Sequence, residues 1–361
     1  MTTPARQAEA DRVDLVYQYA LAYVGAASIQ EALSLWSNVP VTQTAEVAGR
    51  WLAQAIHAIL TRRRKARELA LSYYRLVRAL RTGTTIVDPF RDPEPEYVSL
   101  EMLRREFDLL VNDALPDTPS EEPEEAPEAS EVVAEEVESI EVEEEDLELD
   151  PEPLDEDDAI LLEEIEGLGR EIEDEEAATE QYLKDELEAL GTESSERKSK
   201  DIDPDTPVSE ADEERRRLHL ASGSQQAAAG GRVTMNGSRN TTFQIASKDS
   251  RVVGWVRQSQ TGSPCYWCAM LISRGVLYKS RESAGGIEAN QFHDNCYCVA
   301  VPVFDAEHVK NSDNFAMNRY YHELWEKHIS GKYGGDRAMS EWRKLIARLR
   351  ATEKKATQEV A

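Results

Sequence analysis

The sequence predicts an α+β protein of three unequal parts: an N-terminal helical bundle, an acidic linker that is disordered or partly helical, and a small C-terminal α+β domain with a Cys/His cluster. Three observations support this prediction. Apolar residues recur at helical spacing through the first 115 residues, acidic residues dominate the middle, and all four cysteines lie between residues 265 and 298. The predicted boundaries are 1–115 for the helical domain, 116–214 for the linker, 215–350 for the Cys/His domain and 351–361 for a tail.

The N-terminal part is predicted to be helical throughout. Leu15, Tyr19 and Tyr23 recur at helical spacing and predict a helix. Ser28 fits the N-cap of a short helix that ends near Trp36. Further helices are predicted over residues 44–81 and 100–115.

A basic run, Arg62 to Arg67, lies within the long helix predicted over 44–81. Two interpretations stay open. A solvated helix face is favoured, because charge runs on helices are usually exposed. A site for nucleic acid or for an acidic partner is the alternative.

The middle of the chain is strongly acidic. Residues 117–190 hold 34 Asp or Glu against Arg170 and Lys184, which gives this tract a charge of −32 in a chain of −29. Its first part has too few apolar residues to fold alone. Leu161 to Leu190 hold a helical stripe, which predicts an amphipathic helix over 159–190. The tract is a solubilising linker, an arm that binds a basic protein surface, or an arm that keeps off DNA because like charge repels the phosphate backbone.

The C-terminal part is predicted to mix short strands with helices. Asn236-Gly237 predicts a hairpin within 230–245, because this dipeptide favours tight two-residue turns. The remaining predicted elements are a strand over 251–257, a helical turn over 269–274 ended by Gly275, a strand over 296–304, and helices over 314–328 and 337–350.

The cysteines form a pattern typical of a metal site: a CxxC pair, then HxxCxC. The sequence has no apolar run long enough for a membrane span and begins without a signal-peptide pattern. We therefore expect a cytoplasmic chain, where reduced thiols bind metal rather than form disulfides. A structural zinc ion is predicted, with more candidate ligands than its four positions need. The candidates are Cys265, Cys268, His293, Cys296 and Cys298.

Enzyme activity is the competing interpretation, without an identified catalytic residue. A zinc deaminase is set aside, because the H-x-E half of its motif is missing upstream of Cys265. A thiol protease stays open, with one cysteine as nucleophile and His293, His308 or His322 as base. No G-x-S-x-G elbow supports a serine hydrolase.

The region 215–350 resembles the C-terminal domain of the MuF-like minor capsid, or head morphogenesis, proteins of tailed bacteriophages, in the form found in phages of actinobacteria. The end of this region, Ser330 to Leu345, is also similar. The motif positions of the family are filled by Cys265, Cys268, Gly275, Tyr278, His293, Cys296 and Cys298.

This resemblance implies a role in procapsid assembly and a place inside the virion capsid, after synthesis in the bacterial cytoplasm. It implies the portal, scaffold or major capsid protein as partner, and no membrane. Nucleic acid as a partner rests only on Arg62 to Arg67. Several proteins of this kind are labelled capsid maturation proteases, so cleavage of scaffold or capsid proteins is the alternative function.

Overall fold

A computed structural model describes residues 3–42, 45–91, 95–115, 159–274, 293–294 and 296–360. The helices are α1 (Pro4–Ser37), α2 (Ala45–Thr82), α3 (Leu100–Ala114), α4 (Leu168–Leu187), α5 (Glu193–Lys200), α6 (Val208–Lys248), α7 (Tyr266–Ile272), α8 (Ala306–Asn311), α9 (Ala316–His328) and α10 (Gly335–Val360). The strands are β1 (Thr85–Ile86), β2 (Tyr97–Ser99), β3 (Ala159–Glu163), β4 (Gly254–Ser259) and β5 (Cys298–Val303). The predicted roles of Gly275 and Tyr278, and the first part of the acidic tract, fall outside the described residues.

The long helix α6 packs against both α1 and α2 and forms the centre of the molecule. Its residues from Gln226 to Ala246 are buried without interruption, so this helix has no solvent-exposed face in its C-terminal half. Tyr17 of α1 stacks on Tyr73 of α2 at 3.8 Å between ring centroids, and its hydroxyl lies 2.5 Å from Ser238 Oγ of α6. The predicted α+β class, with a helical N-terminal part and a small mixed C-terminal part, is confirmed.

The predicted hairpin at Asn236-Gly237 is wrong, because α6 runs through both residues. A Cβ at residue 237 would lie 2.6 Å from the carbonyl oxygen of Arg63, so glycine here permits close approach of α2 and α6. Asn236 Oδ1 accepts a 3.0 Å hydrogen bond from Arg239 Nη1. Tertiary packing therefore explains a dipeptide that usually marks a turn.

The helix predicted from the spacing of Leu15, Tyr19 and Tyr23 is confirmed, but these three residues do not form its buried face. Leu15 and Tyr19 are 53% and 49% exposed, and Tyr23 is half-buried. The buried face of α1 instead includes Tyr17 and Leu21. These two faces of α1 are close in apolar content, and only packing against α2 and α6 determines which of them is buried.

Ser28 does not begin a helix, because α1 is continuous from Pro4 to Ser37. The Ser28 hydroxyl is buried and lies 2.7 Å from Thr234 Oγ1 on α6. Its polar group is satisfied by a neighbouring helix rather than by a helix start.

The amphipathic helix predicted over 159–190 is correct for α4 but wrong for its first residues. Residues 159–163 form β3, which pairs in parallel with β1 and antiparallel with β2. The predicted stripe is otherwise buried, as Leu168, Ile172, Leu183 and Leu187 show. This half of the acidic tract is therefore part of the folded body, and the predicted boundary at residue 215 lies inside α6.

The basic run is covered in part by the acidic helix α4. Arg63 is 2% exposed and forms ion pairs with Glu175 at 2.5 Å and Glu176 at 2.8 Å. Lys65 pairs with Asp113 of α3 at 2.8 Å. The interpretation of the run as a solvated face is therefore wrong for Arg63, because carboxylates of the same chain pair with it.

In the C-terminal part, β4 and β5 form an antiparallel pair, with Gly254 opposite Val303 and Ser259 opposite Cys298. The predicted strands and closing helices are confirmed with shifted ends, and α10 extends through most of the predicted tail. Cys296 lies just before β5 rather than within it. None of the helices in the described part of the chain combines the length and apolarity that a bilayer crossing requires.

Candidate metal centre

The CxxC pair is held at the start of α7. Cys265 is the N-cap of this helix, and its Sγ accepts a 3.3 Å hydrogen bond from the backbone N–H of Cys268. The helix packs on a small apolar cluster around Trp342, whose Nε1 donates a 2.8 Å hydrogen bond to the Tyr266 carbonyl. This turn places both thiols on one side, as the spacing predicts.

His293 faces these two thiols. Its Nε2 lies 3.0 Å from Cys265 Sγ and 3.8 Å from Cys268 Sγ. Its Nδ1 donates a 2.8 Å hydrogen bond to the backbone carbonyl oxygen of Asp294, which leaves Nε2 facing the thiols. Metal-binding histidines are commonly oriented in this way by a carbonyl behind the ring.

The five predicted side chains come together as two overlapping triads. One consists of Cys265, Cys268 and His293, the other of Cys268, Cys296 and Cys298, and in each the ligand atoms lie within 4.8 Å of one another. Cys268 Sγ is 3.6 Å from Cys296 Sγ. Tetrahedral zinc, with Zn–S bonds of about 2.3 Å, places two sulfurs about 3.8 Å apart. The cluster could therefore hold a metal ion.

The thiols differ in acidity. Hydrogen bonding from Cys268, assisted by His293, outweighs burial and lowers the pKa of Cys265 to about 5. Hydrogen bonds from Cys268 and Cys298, with the charges of Arg239 and Arg257, also lower the pKa of Cys296. The pKa of Cys268 is raised, first by its hydrogen bond to Cys265. Cys268 therefore favours its protonated form, and a metal ion must displace that proton to bind.

Two buried arginines contact the cluster, and sequence reasoning missed both. Arg257 of β4 points Nη2 at Cys296 Sγ, 3.6 Å away, and at Cys268 Sγ, 3.9 Å away. Arg239 of α6 donates from Nε to the Cys298 carbonyl at 3.0 Å and from Nη2 to the Cys296 carbonyl. A charged residue inside the apolar run RVVGWVR was a usable signal for Arg257. No comparable signal pointed to Arg239, because its segment was predicted to be a hairpin.

The other histidines proposed as catalytic bases lie elsewhere. His308 Nε2 lies 2.8 Å from Asp11 Oδ1, and His322 Nδ1 lies 3.0 Å from the Ser273 carbonyl oxygen. Within the described residues, His293 is the one of the three that contacts a thiol. Any thiol–imidazole pair in this part of the chain must therefore use the metal-ligand candidates.

Comparison with known proteins points to bacteriophages. The VG15 protein family matches residues 198–324, less than half of the chain and including the whole Cys/His cluster. The Gene 15 protein of Mycobacterium phage D29 is 34% identical over an 82-residue alignment, and the match covers 16% of this chain and 30% of that relative. No solved structure matches the chain significantly. These similarities support a bacteriophage protein.

Proposed function

We propose that this chain is a minor capsid protein that acts in head morphogenesis of a tailed bacteriophage. The proposal is carried by the Cys/His cluster: the CxxC and HxxCxC elements converge in space, and they lie inside the region similar to phage proteins. The resemblance of these motifs to MuF-like head proteins supplies the morphogenesis role. The chain would then lie inside the capsid.

The metal of the proposal is a structural Zn²⁺ ion. Thiolates and imidazole are the ligands that zinc prefers, and the donor set has both. Such an ion would cross-link α7, through Cys265 and Cys268, to the segment of His293, Cys296 and Cys298 that leads into β5. Cys268 belongs to both triads, so a site built on either triad would contain it.

The C-terminal part would serve as a docking module for the portal, scaffold or major capsid protein. Trp267, which lies between the two CxxC thiols in sequence, is 38% exposed, and Tyr320 on α9 is 46% exposed. Exposed aromatic side chains are frequent anchors of protein interfaces. The cross-link would keep these side chains in place.

A capsid maturation protease is the second candidate, and one observation favours it. Cys265 Sγ and His293 Nε2 are 3.0 Å apart, and both residues are at least partly accessible. A thiol next to an imidazole is the pair that cysteine proteases use. The same two atoms cannot bind an ion and perform nucleophilic attack at once, so the two functions are separable.

The test is coexpression of the full chain with the major capsid and scaffold proteins of its phage. We expect the chain to copurify with procapsids, and Cys268→Ser to lose both zinc and copurification. New N-termini in capsid or scaffold, abolished by Cys265→Ser and His293→Ala but not by the control His322→Ala, would establish the protease instead. Absence of the chain from procapsids and virions would refute the head role.

A further inference from the structure

The charge balance at the thiol cluster leads beyond the ligands themselves. Arg257 and Arg239 are 1% and 2% exposed, and they reach the cluster from different elements, β4 and α6. Burying a cation is costly unless an anion compensates it. Two such cations beside one group of thiols favour the thiolate form of that group.

We propose that Arg257 and Arg239 are positioning residues of a thiolate-rich metal centre. Arg257 donates N–H···S hydrogen bonds to the thiolates of Cys268 and Cys296. Arg239 holds the backbone of the Cys296–Cys298 segment through its two carbonyl contacts. This inference rests on the metal binding in the proposed function.

Charge counting supports the assignment. A divalent ion with three thiolates and one imidazole carries about −1, and with four thiolates about −2. In either set every sulfur ligand is a thiolate, because binding displaces the thiol protons. The neighbouring guanidinium groups offset the net negative charge that remains on the loaded centre, although each alone would repel a free cation.

The test uses Co²⁺ as a spectroscopic probe on the full chain. We expect Arg257→Met to lower Co²⁺ affinity 10- to 100-fold, the range typical of groups that support metal ligands. Loss of the N–H···S bonds raises the energy of the sulfur lone pairs. The thiolate-to-cobalt charge-transfer band should therefore move to longer wavelength, which a merely structural role would not cause.

Two further variants separate charge from hydrogen bonding and from folding. Arg257→Lys keeps the charge but loses the planar fork, so we expect an affinity within about 10-fold of wild type together with a shifted band. Arg78→Met is the control: Arg78 is fully buried and pairs with Asp249 at 2.6 Å instead of with thiols. It should destabilise the fold and leave the Co²⁺ band in place.

Each outcome decides a different question. A wild-type band and affinity in Arg257→Met would overturn the role of Arg257. If Arg257→Met does not fold, the Co²⁺ affinity and the charge-transfer band of Arg257→Lys decide whether Arg257 supports the metal centre. Failure of both to fold in saturating Zn²⁺ would assign Arg257 to packing and overturn the proposal. No Co²⁺ uptake by the wild-type chain would instead refute the metal of the proposed function.

Discussion

Arg239 donates a 3.0 Å hydrogen bond from Nε to the backbone carbonyl oxygen of Cys298, and this contact joins the central helix α6 to the strand that carries the last thiol. On the same helix, Arg232 donates a 2.8 Å hydrogen bond to Asp294, the neighbour of His293. Because α6 also packs between α1 and α2, the candidate metal centre is continuous with the helical core.

Metal removal should therefore affect more than the C-terminal third. We expect a chelator, or Cys268→Ser, to increase amide hydrogen exchange in α6 between residues 226 and 246 as well as around the cluster. Free Zn²⁺ at 1,000 times its Kd should raise the free energy of unfolding by about 4 kcal/mol. Unchanged exchange in α6 after chelation, with reloaded wild type as control, would show that the centre is energetically isolated.

Sequence reasoning succeeded where the cause of structure is local. The CxxC turn depends on one N-cap contact at Cys265, and helices α3 and α9 have clear apolar periodicity. It failed where tertiary packing determines the structure. The helix-spaced residues Leu15 and Tyr19 are exposed rather than buried. Gly237, which predicts a turn with Asn236, lies inside α6 and accommodates the backbone of Arg63.

The ion pairs of Arg63 predict how firmly the acidic helix α4 is held. Because Arg63 is buried while Glu175 and Glu176 are only about a quarter exposed, we expect Glu175→Ala with Glu176→Ala to lower the free energy of unfolding by about 2 kcal/mol. Urea denaturation would measure this. The control, Glu173→Ala with Glu180→Ala, removes the same charge from exposed positions of α4 and should change stability by less than about 0.5 kcal/mol. Equal losses of stability in the two double variants would mean that only the net charge of α4 matters.

Asp11 predicts one component of acid sensitivity. Burial opposes ionisation of its carboxyl, but hydrogen bonds from His308, Arg81 and Ser312 outweigh burial and lower its pKa to about 2. A carboxyl whose pKa is lower in the folded state stabilises the fold above its unfolded pKa, here near 3.8. That stability is lost as the pH falls toward 2.

Asp11→Asn should therefore cost about 2 kcal/mol at pH 7, and the difference from wild type should shrink between pH 4 and pH 2. Denaturation of both chains at several pH values would measure it. Buried Asp14 also faces Arg81, and burial raises the pKa of Asp14, so its own titration opposes that of Asp11. Because Asp14 is present in both chains, its contribution largely cancels in the difference. A pH-independent difference would contradict the role of Asp11.

Gly237 and Gly49 offer a matched pair for the close packing of α2 and α6. In an open helix, Gly→Ala stabilises by about 1 kcal/mol, because alanine restricts the unfolded chain and favours helix. At Gly49 of α2 nothing lies within 4 Å of an added Cβ, so Gly49→Ala should show this gain.

At residue 237 the added Cβ would lie 2.6 Å from the Arg63 carbonyl oxygen, which cannot move without displacing α2. We expect Gly237→Ala to destabilise by about 1–3 kcal/mol despite its better helix propensity. Thermal unfolding would measure the stability of the two variants. A gain in stability in both would mean that α2 and α6 do not approach this closely.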